Sequence, residues 1–313
     1  MKLFYGVDLG GTTVKFGCFG ENGSLIRKWK IKTDCSDAGE RILPSLEKEI
    51  TTDYKSRGLA LKEVMGIGLA LPGTVKDGVL TERCVNLSGW GGFDAGKELS
   101  ARTKLPVRCL NDANAALLGE QWCGCAQGVQ DAVLLTLGTG IGGAVMVNGR
   151  IWEGHGGAAG EFGHIRVREG ENRVCGCGGH GCLEQYASAR GMEYLYEEAL
   201  LRNAKPFPGA DADAKEIFTR AKAGEDEALC AVDEMSRLLG RALAAAACLY
   251  DPALFVIGGG LSATGDFLLE KIRSAYCNDA FFAVRGTPIC LAALGGDAGM
   301  YGAARLAAKP DVL

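Results

Sequence analysis

The sequence contains no apolar run of the about 18 residues that a membrane-spanning helix needs. Its opening, MKLFYGVDLGG, passes directly from a strand-like stretch into glycines. It lacks the apolar h-region and cleavage site of a secretory signal. Charge of one sign is also missing: 34 basic residues stand against 38 acidic ones, a net −4. That balance gives no global reason to expect a nucleic-acid or membrane partner. There is no G-x-x-x-x-G-K-[ST] stretch, which excludes a P-loop, and no low-complexity linker or charge block. Histidine is confined to positions 155, 164 and 180. Cysteine is plentiful at thirteen, yet nothing directs the chain to an oxidising compartment. Reduced, mostly buried thiols in a cytoplasmic protein are expected.

What is present is a 313-residue chain, 47% hydrophobic and 23% charged, long enough for two cored domains. Leu3–Asp8 reads as a strand, followed by the loop Leu9-Gly10-Gly11-Thr12-Thr13 and a second strand, Val14–Phe19. A third strand, Leu25–Lys32, follows a turn at Glu21-Asn22-Gly23, and Ala38 to about Arg57 has helical spacing. Val64–Leu71 is a buried strand ended by Pro72-Gly73; Leu105–Leu110 is another, leading into a helix over Ala113–Gln121. About 130 residues after the first, the opening pattern recurs: strand Ala132–Leu137, loop Gly138–Gly140, strand Gly142–Val147 and the hairpin turn Asn148-Gly149. The repetition predicts a duplicated α/β architecture with a cleft between halves. Helices are expected at Tyr186–Leu201, Ala228–Leu249 and Asp297–Ala308, with a buried strand at Leu254–Ile257 closed by Gly258-Gly259-Gly260.

Four motifs carry chemistry. Asp8 to Thr13 could cradle phosphate on backbone N–H groups, with Asp8 holding Mg²⁺ through water, or be a plain hairpin turn. Gly138-Thr139-Gly140-Ile141-Gly142-Gly143 satisfies G-x-G-x-x-G, but a strand and hairpin follow where a dinucleotide fold needs a helix. A second phosphate loop fits better. Asp112, in Asn111-Asp112-Ala113-Asn114, reads locally as a helix N-cap and functionally as a general base. His164, Cys175, Cys177 and Cys182 follow H-x10-C-x-C-x4-C, in a segment too polar and glycine-rich to be core. They suit a closed tetrahedral Zn²⁺ site, with His180 a spare ligand and Glu161 and Glu184 bracketing the cluster. Cys123 and Cys125, by contrast, read as packing at a helix end. A turn, or close approach to a flat ligand such as adenine, explains Gly258–Gly260.

Taken together, DLGGTTVK, LNDANAALLGE, LGTGIGGAV and GEFGHIRV…CGCGGHGCLEQYAS resemble the ROK family of repressors, open reading frames and sugar kinases, over essentially the whole chain. The resemblance implies an α/β, duplicated actin-like or hexokinase-like (ribonuclease H-like) fold, with two domains around a cleft. On it, residues 1–110 form a small domain with the first phosphate loop. Residues 111–296 form a large one with the second loop, zinc site and sugar ligands, and 297–313 a terminal helix returning to the small domain. It implies ATP-dependent phosphorylation of a hexose with Asp112 as base. The hexose would be held by Asn111, Asp112, Glu161, His164 and Glu184, with Gly73 and Asn86 as additions. Asp8, Gly10, Gly11, Thr12, Thr13, Gly138, Thr139, Gly140 and Gly142 would hold the phosphates, Gly259 and Gly260 the adenosine side. ATP, Mg²⁺ and a structural zinc are the implied cofactors and a homodimer the implied assembly. Asn86-Leu87-Ser88-Gly89-Trp90 resembles the loop of glucokinase members and favours glucose. An N-acetylmannosamine kinase is the alternative. A sugar-responsive repressor fits less well, because Asp8 already lies in the glycine loop and leaves no room for a preceding helix-turn-helix.

Overall fold

The structure, a computed structural model, describes residues 2–313 apart from Val85, Asn86, Ser88, Phe207, Ala210 and Asp211. Asn86, a sugar ligand by resemblance, therefore lies outside the described residues. The chain divides into two units: Met1–Gln130 with Ala144–Ala159 and Gly296–Leu313, and Asp131–Gly143 with Gly160–Gly295.

In the first unit, β1 (Leu3–Leu9), β2 (Thr13–Gly20) and β3 (Leu25–Lys32) form an antiparallel meander. Parallel strands β4 (Val64–Leu71) and β9 (Val107–Asn111) complete the order β3-β2-β1-β4-β9. Two short ribbons pair β5 (Val75–Lys76) with β6 (Val79–Leu80) and β7 (Arg83–Cys84) with β8 (Trp90–Gly91). The helices are α1 (Ile42–Ser56), α2 (Ala95–Thr103), α3 (Asp112–Cys123) and, from the far end of the chain, α9 (Ala298–Ala308).

Strand alternation sets the two faces of this sheet. Leu3, Tyr5, Val7 and Leu9 of β1, with Ile67, Leu69 and Leu71 of β4, join one apolar core with Leu43, Leu46 and Ile50 of α1. On the other face β1 and β4 place Gly6 opposite Gly68 in register. A β-carbon on Gly6 would overlap Met300 O of α9, and one on Gly68 would overlap Ala303 O. Helix α3 approaches in the same way: Gly119 faces Ala298 O, and Gly302 faces Ala115 O. At these points the terminal helix lies on backbone, and Gly6 in the middle of β1 is why that strand's pattern looks weak in sequence.

In the second unit β10 (Ala132–Leu137) pairs in parallel with β13 (Leu254–Gly258), and β13 with β14 (Ile289–Leu291). With β11 (Ile141–Val147) and β12 (Arg150–Ile151) the order is β12-β11-β10-β13-β14. The unit division falls inside β11. Meander strands followed by parallel strands appear in both sheets, the expected duplication. Helices α4 (Glu184–Ala187), α5 (Ala189–Arg202), α6 (Ala214–Lys222), α7 (Asp226–Tyr250) and α8 (Asp266–Asp279) belong to this unit.

Several boundaries differ from expectation. The helix expected from Ala38 begins at Ile42, because Asp37, Ala38 and Gly39 adopt positive φ. The helix expected over Tyr186–Leu201 is broken at Ser188, whose side chain accepts from Gly191 N at 3.1 Å and caps α5. Gly295–Asp297 forms a 3-10 turn, and α9 starts at Ala298.

The glycine seat is testable. Gly302→Val and Gly68→Val should each lower unfolding free energy by about 1–3 kcal/mol or more, since only backbone could yield. Gly286→Ala, with nothing within 4 Å, should change it by less than about 0.5 kcal/mol in the same denaturant titration.

Candidate active site and metal centre

The β1–β2 loop is cross-braced. Gly10 N donates to Thr13 O at 3.1 Å, Thr33 Oγ1 to Gly10 O at 2.6 Å and Thr33 N to Thr12 O at 3.0 Å. Gly11 and Thr12 remain exposed at its tip. Asp8 shares the α9 face of β1 with Gly6 and lies against Gly299, where a β-carbon would stand 3.0 Å from the carboxyl carbon. Burial pushes the Asp8 carboxyl above its usual range; Lys15, with Nζ 3.6 Å from Oδ2, opposes that shift. Lys15 also donates to Gly296 O, tying β2 to the turn before α9.

At the end of β9, Asn111 and not Asp112 is the N-cap of α3: its Oδ1 accepts from Ala113 N at 2.9 Å and Asn114 N at 3.1 Å. This corrects the local reading of Asp112, which is instead the first helical residue. An Asn reaches both amides while its Nδ2 donates to Gly73 O at 2.9 Å, so one side chain joins the helix start to the Pro72-Gly73 turn. Gly73 needs its φ of 93° there. The Asp112 side chain is exposed, with Oδ1 2.9 Å from Ala113 N. Burial, and next the Asp112 charge, push the nearby Cys84 thiol up to about 11.

In the second unit, the loop after β10 closes on itself through Gly138 N to Gly140 O at 2.9 Å. Glu184 accepts from Ile141 N at 2.9 Å, and its carboxylate occupies the space a β-carbon on Gly140 would take. The start of α5 joins the same loop, Ala189 N donating to Gly138 O at 2.8 Å. Gly259, at φ 83°, lies against the Leu137 backbone, and Gly260 opens a 3-10 turn with open space at its β-position.

The predicted ligand set converges: donor atoms of His164, Cys175, Cys177 and Cys182 all lie within 4.8 Å of one another. Cys177 Sγ and Cys182 Sγ are 3.7 Å apart, as are His164 Nδ1 and Cys175 Sγ. Tetrahedral bonds of about 2.3 Å to sulfur and about 2.0 Å to nitrogen give edges of about 3.8 and about 3.5 Å, so the donor set fits zinc in type and spacing. Backbone hydrogen bonding at Gly179 pulls the exposed Cys177 thiol below its usual range, whereas burial pushes Cys182 up to about 12. His180 is not in the group, and its Nδ1 is buried without a partner. Neither Cys123 nor Cys125 belongs to a metal-ligand group among the described residues. His164 ends a 3-10 turn, Phe162–His164, where sequence suggested the approach to a strand; Nδ1 faces the cysteines and Nε2 lies 4.0 Å from Glu161 Oε2.

Sequence reasoning missed a second fastening of this segment. Arg168 pairs with Glu198 of α5 at 3.2 Å and Glu234 of α7 at 2.9 Å, and its guanidinium lies 4.5 Å from the Tyr186 ring centre. The Tyr186 hydroxyl donates to Glu171 Oε2 at 2.7 Å. Only an Arg and a Glu lying between the ligands hinted at it. His155 is exposed in the loop after β12.

Two α/β units that repeat one sheet scheme, each with a glycine hairpin loop, define a protein of the actin-like, hexokinase-like class. The ROK family profile matches residues 4–310, and the chain belongs to that family. It is 38% identical to a glucokinase of Halalkalibacterium halodurans, over 96% of this chain and 93% of that one. The ROK hexokinase of Thermus thermophilus superposes with a TM-score of 0.84 at 33% identity, covering 99% of both chains. A ROK glucokinase from Streptomyces griseus, solved with glucose and AMPPNP, superposes at 0.78 with 32% identity, covering 97% of this chain and 98% of that one.

Because Asp8 is buried with its pKa raised, its ionised form weighs against folding. Stability linked to Asp8 is fully present below the ordinary carboxylate range and is lost as pH rises through the folded value. Asp8→Asn should therefore raise the thermal midpoint at neutral pH, with the gain vanishing on acidification below about pH 4. A midpoint that falls at neutral pH would show Lys15 to outweigh burial.

Proposed function

We propose that the chain transfers the γ-phosphoryl group of ATP to the 6-hydroxyl of a hexose, glucose being favoured. The observation that carries this is the start of α3, where Asn111 supplies the cap and Asp112 stands exposed beside it. A carboxylate there can accept the attacking hydroxyl's proton, and phosphoryl transfer asks for little more than positioning and that one base. The 38% identity to a glucokinase, and the likeness to one solved with glucose and AMPPNP, support both donor and acceptor.

On this reading the backbone N–H groups of Gly10, Gly11, Thr12 and Thr13, and of Gly138, Thr139, Gly140 and Gly142, bind phosphate oxygens. Asp8 holds Mg²⁺ through water, and Gly259 and Gly260 admit the adenosine. Gly73, Asn86, Asn111, Glu161, His164 and Glu184 pair with sugar hydroxyls, where a mismatch leaves a buried polar group unsatisfied. His164, Cys175, Cys177 and Cys182 would hold a structural zinc ion that cross-links a loop poor in apolar residues. His164 then orients toward Glu161 by its remaining nitrogen, the second partner that metal-bound imidazoles keep. The protein is read as a cytoplasmic homodimer; no helix among the described residues is long and apolar enough to cross a membrane.

Asp112→Asn should lower kcat by roughly 10²–10⁴-fold while calorimetry still finds glucose binding. Near-normal turnover would remove Asp112 as base. Cys177→Ser should lower zinc content, measured by mass spectrometry, and raise KM for glucose by roughly 10–100-fold. An unchanged KM in the zinc-depleted variant would separate the metal from the sugar site.

A further inference from the structure

The first unit contains a cavity of about 800 Å³ whose lining includes none of the residues assigned above to phosphoryl transfer. Its size suits a small metabolite. Strands β5, β6 and β9, the start of α2, the segment after β12 and the chain's last residues enclose it. Glu153 is 7% exposed on this lining. Its Oε2 accepts from Asp77 N at 3.2 Å and Lys76 Nζ at 3.4 Å, while Oε1 is buried without any hydrogen-bond donor. A buried carboxylate oxygen left this way is costly, so the site is incomplete as it stands.

The cations divide unequally. Lys76 is satisfied internally by Glu153 and Asp77. Lys97 and Arg108 line the same cavity, and neither side chain makes an ion pair or hydrogen bond with a described residue. Of the aspartates on the lining, Asp77 pairs with Lys76, and Asp94 is engaged as the cap of α2 through Lys97 N at 2.8 Å. The amino end of α2 adds its partial positive charge. Trp152, 46% exposed, offers a flat apolar face on the rim.

We propose that this cavity binds a phosphorylated polyol of sugar size. The phosphate would be held by the Arg108 fork and Lys97, since a guanidinium and an ammonium together match a dianion. The carbon skeleton would lie along Trp152. A ligand hydroxyl would donate to Glu153, whose terminal torsion is soft enough to turn an oxygen toward the cavity. Neither a bare anion nor a neutral sugar satisfies both halves of the site.

The test uses the full-length protein with glucose and AMPPNP saturating, so that product cannot enter the transfer site. Glucose 6-phosphate is titrated by calorimetry, and Trp152 emission is followed against a Trp152→Phe control. One equivalent per chain should bind. Affinity should fall roughly tenfold or more in Arg108→Ala and in Lys97→Ala, variants that remove no ion pair or hydrogen bond within the described protein and should keep turnover. Inorganic phosphate should bind more weakly than glucose 6-phosphate. Loss of all binding once glucose and AMPPNP are present overturns the proposal. So does unchanged affinity in both variants, or inorganic phosphate binding as tightly as the sugar phosphate. Failure of Asp112→Asn to lower turnover would sink the kinase reading and leave this one standing, because the two share no residue.

Discussion

The first unit depends on how closely α9 approaches its neighbours. Gly6, Gly68, Gly119 and Gly302 leave no room for a β-carbon of their own, so at these four points peptide backbone meets peptide backbone or lies directly against α9. Backbone cannot swing aside as a long side chain can, and interiors packed at crystal-like density transmit any intrusion. The same helix therefore fixes β1, which carries Asp8, and α3, which begins at Asp112. Gly299 continues the pattern by leaving room for the Asp8 carboxyl itself. A residue some 290 positions from Asp8 thereby decides how deeply that charge is buried.

Glycine serves the second unit differently. Gly140 leaves space for the Glu184 carboxylate, which then accepts from the Ile141 amide. Glu184 follows Cys182 of the four-donor cluster by two residues, so the glycine loop, the carboxylate and that cluster are mechanically continuous within that unit. The Arg168–Tyr186 stack, with Glu198 and Glu234 behind it, ties the same segment to α5 and α7 by a route that needs no ion. The cluster and the stack restrain one strip in two ways: the first gathers its ends at His164 and Cys182, the second fastens Arg168 and Glu171 within it to Tyr186 of α4.

Sequence made the chemistry-bearing residues legible because each is bound to a short motif. A repeated strand–glycine–strand pattern revealed the duplicated sheets, and the H-x10-C-x-C-x4-C spacing predicted a cluster whose donor atoms do converge. What stayed hidden was long-range. Helices α2, α6 and α8 were not foreseen, and the alternation of β1 was blurred by Gly6, one of the glycines that seat α9. The exchange of roles between Asn111 and Asp112 turns on geometry, since either side chain can cap a helix and only the fold shows that Asn111 also reaches Gly73. The cavity was invisible for the same reason: its lining comes from stretches near residues 76, 97, 108, 153 and 310, none a motif alone.

Asp8 and Glu153 bear comparison, because both are carboxylates held where water is scarce. Asp8 has Lys15 at 3.6 Å and sits at the end of a strand, beside a loop whose exposed tip can meet a ligand. Its burial opposes ionisation, and a magnesium complex would reverse that opposition by supplying charge the protein withholds. Glu153 has Lys76 and an amide on one oxygen and nothing on the other. Proteins retain such unfavourable groups where function needs them, and the stability lost there is recovered in rigid packing elsewhere. In this unit the recovery has an evident source in the glycine-seated helix, which packs against the strand carrying Asp8 and ends just before Pro310 on the cavity wall.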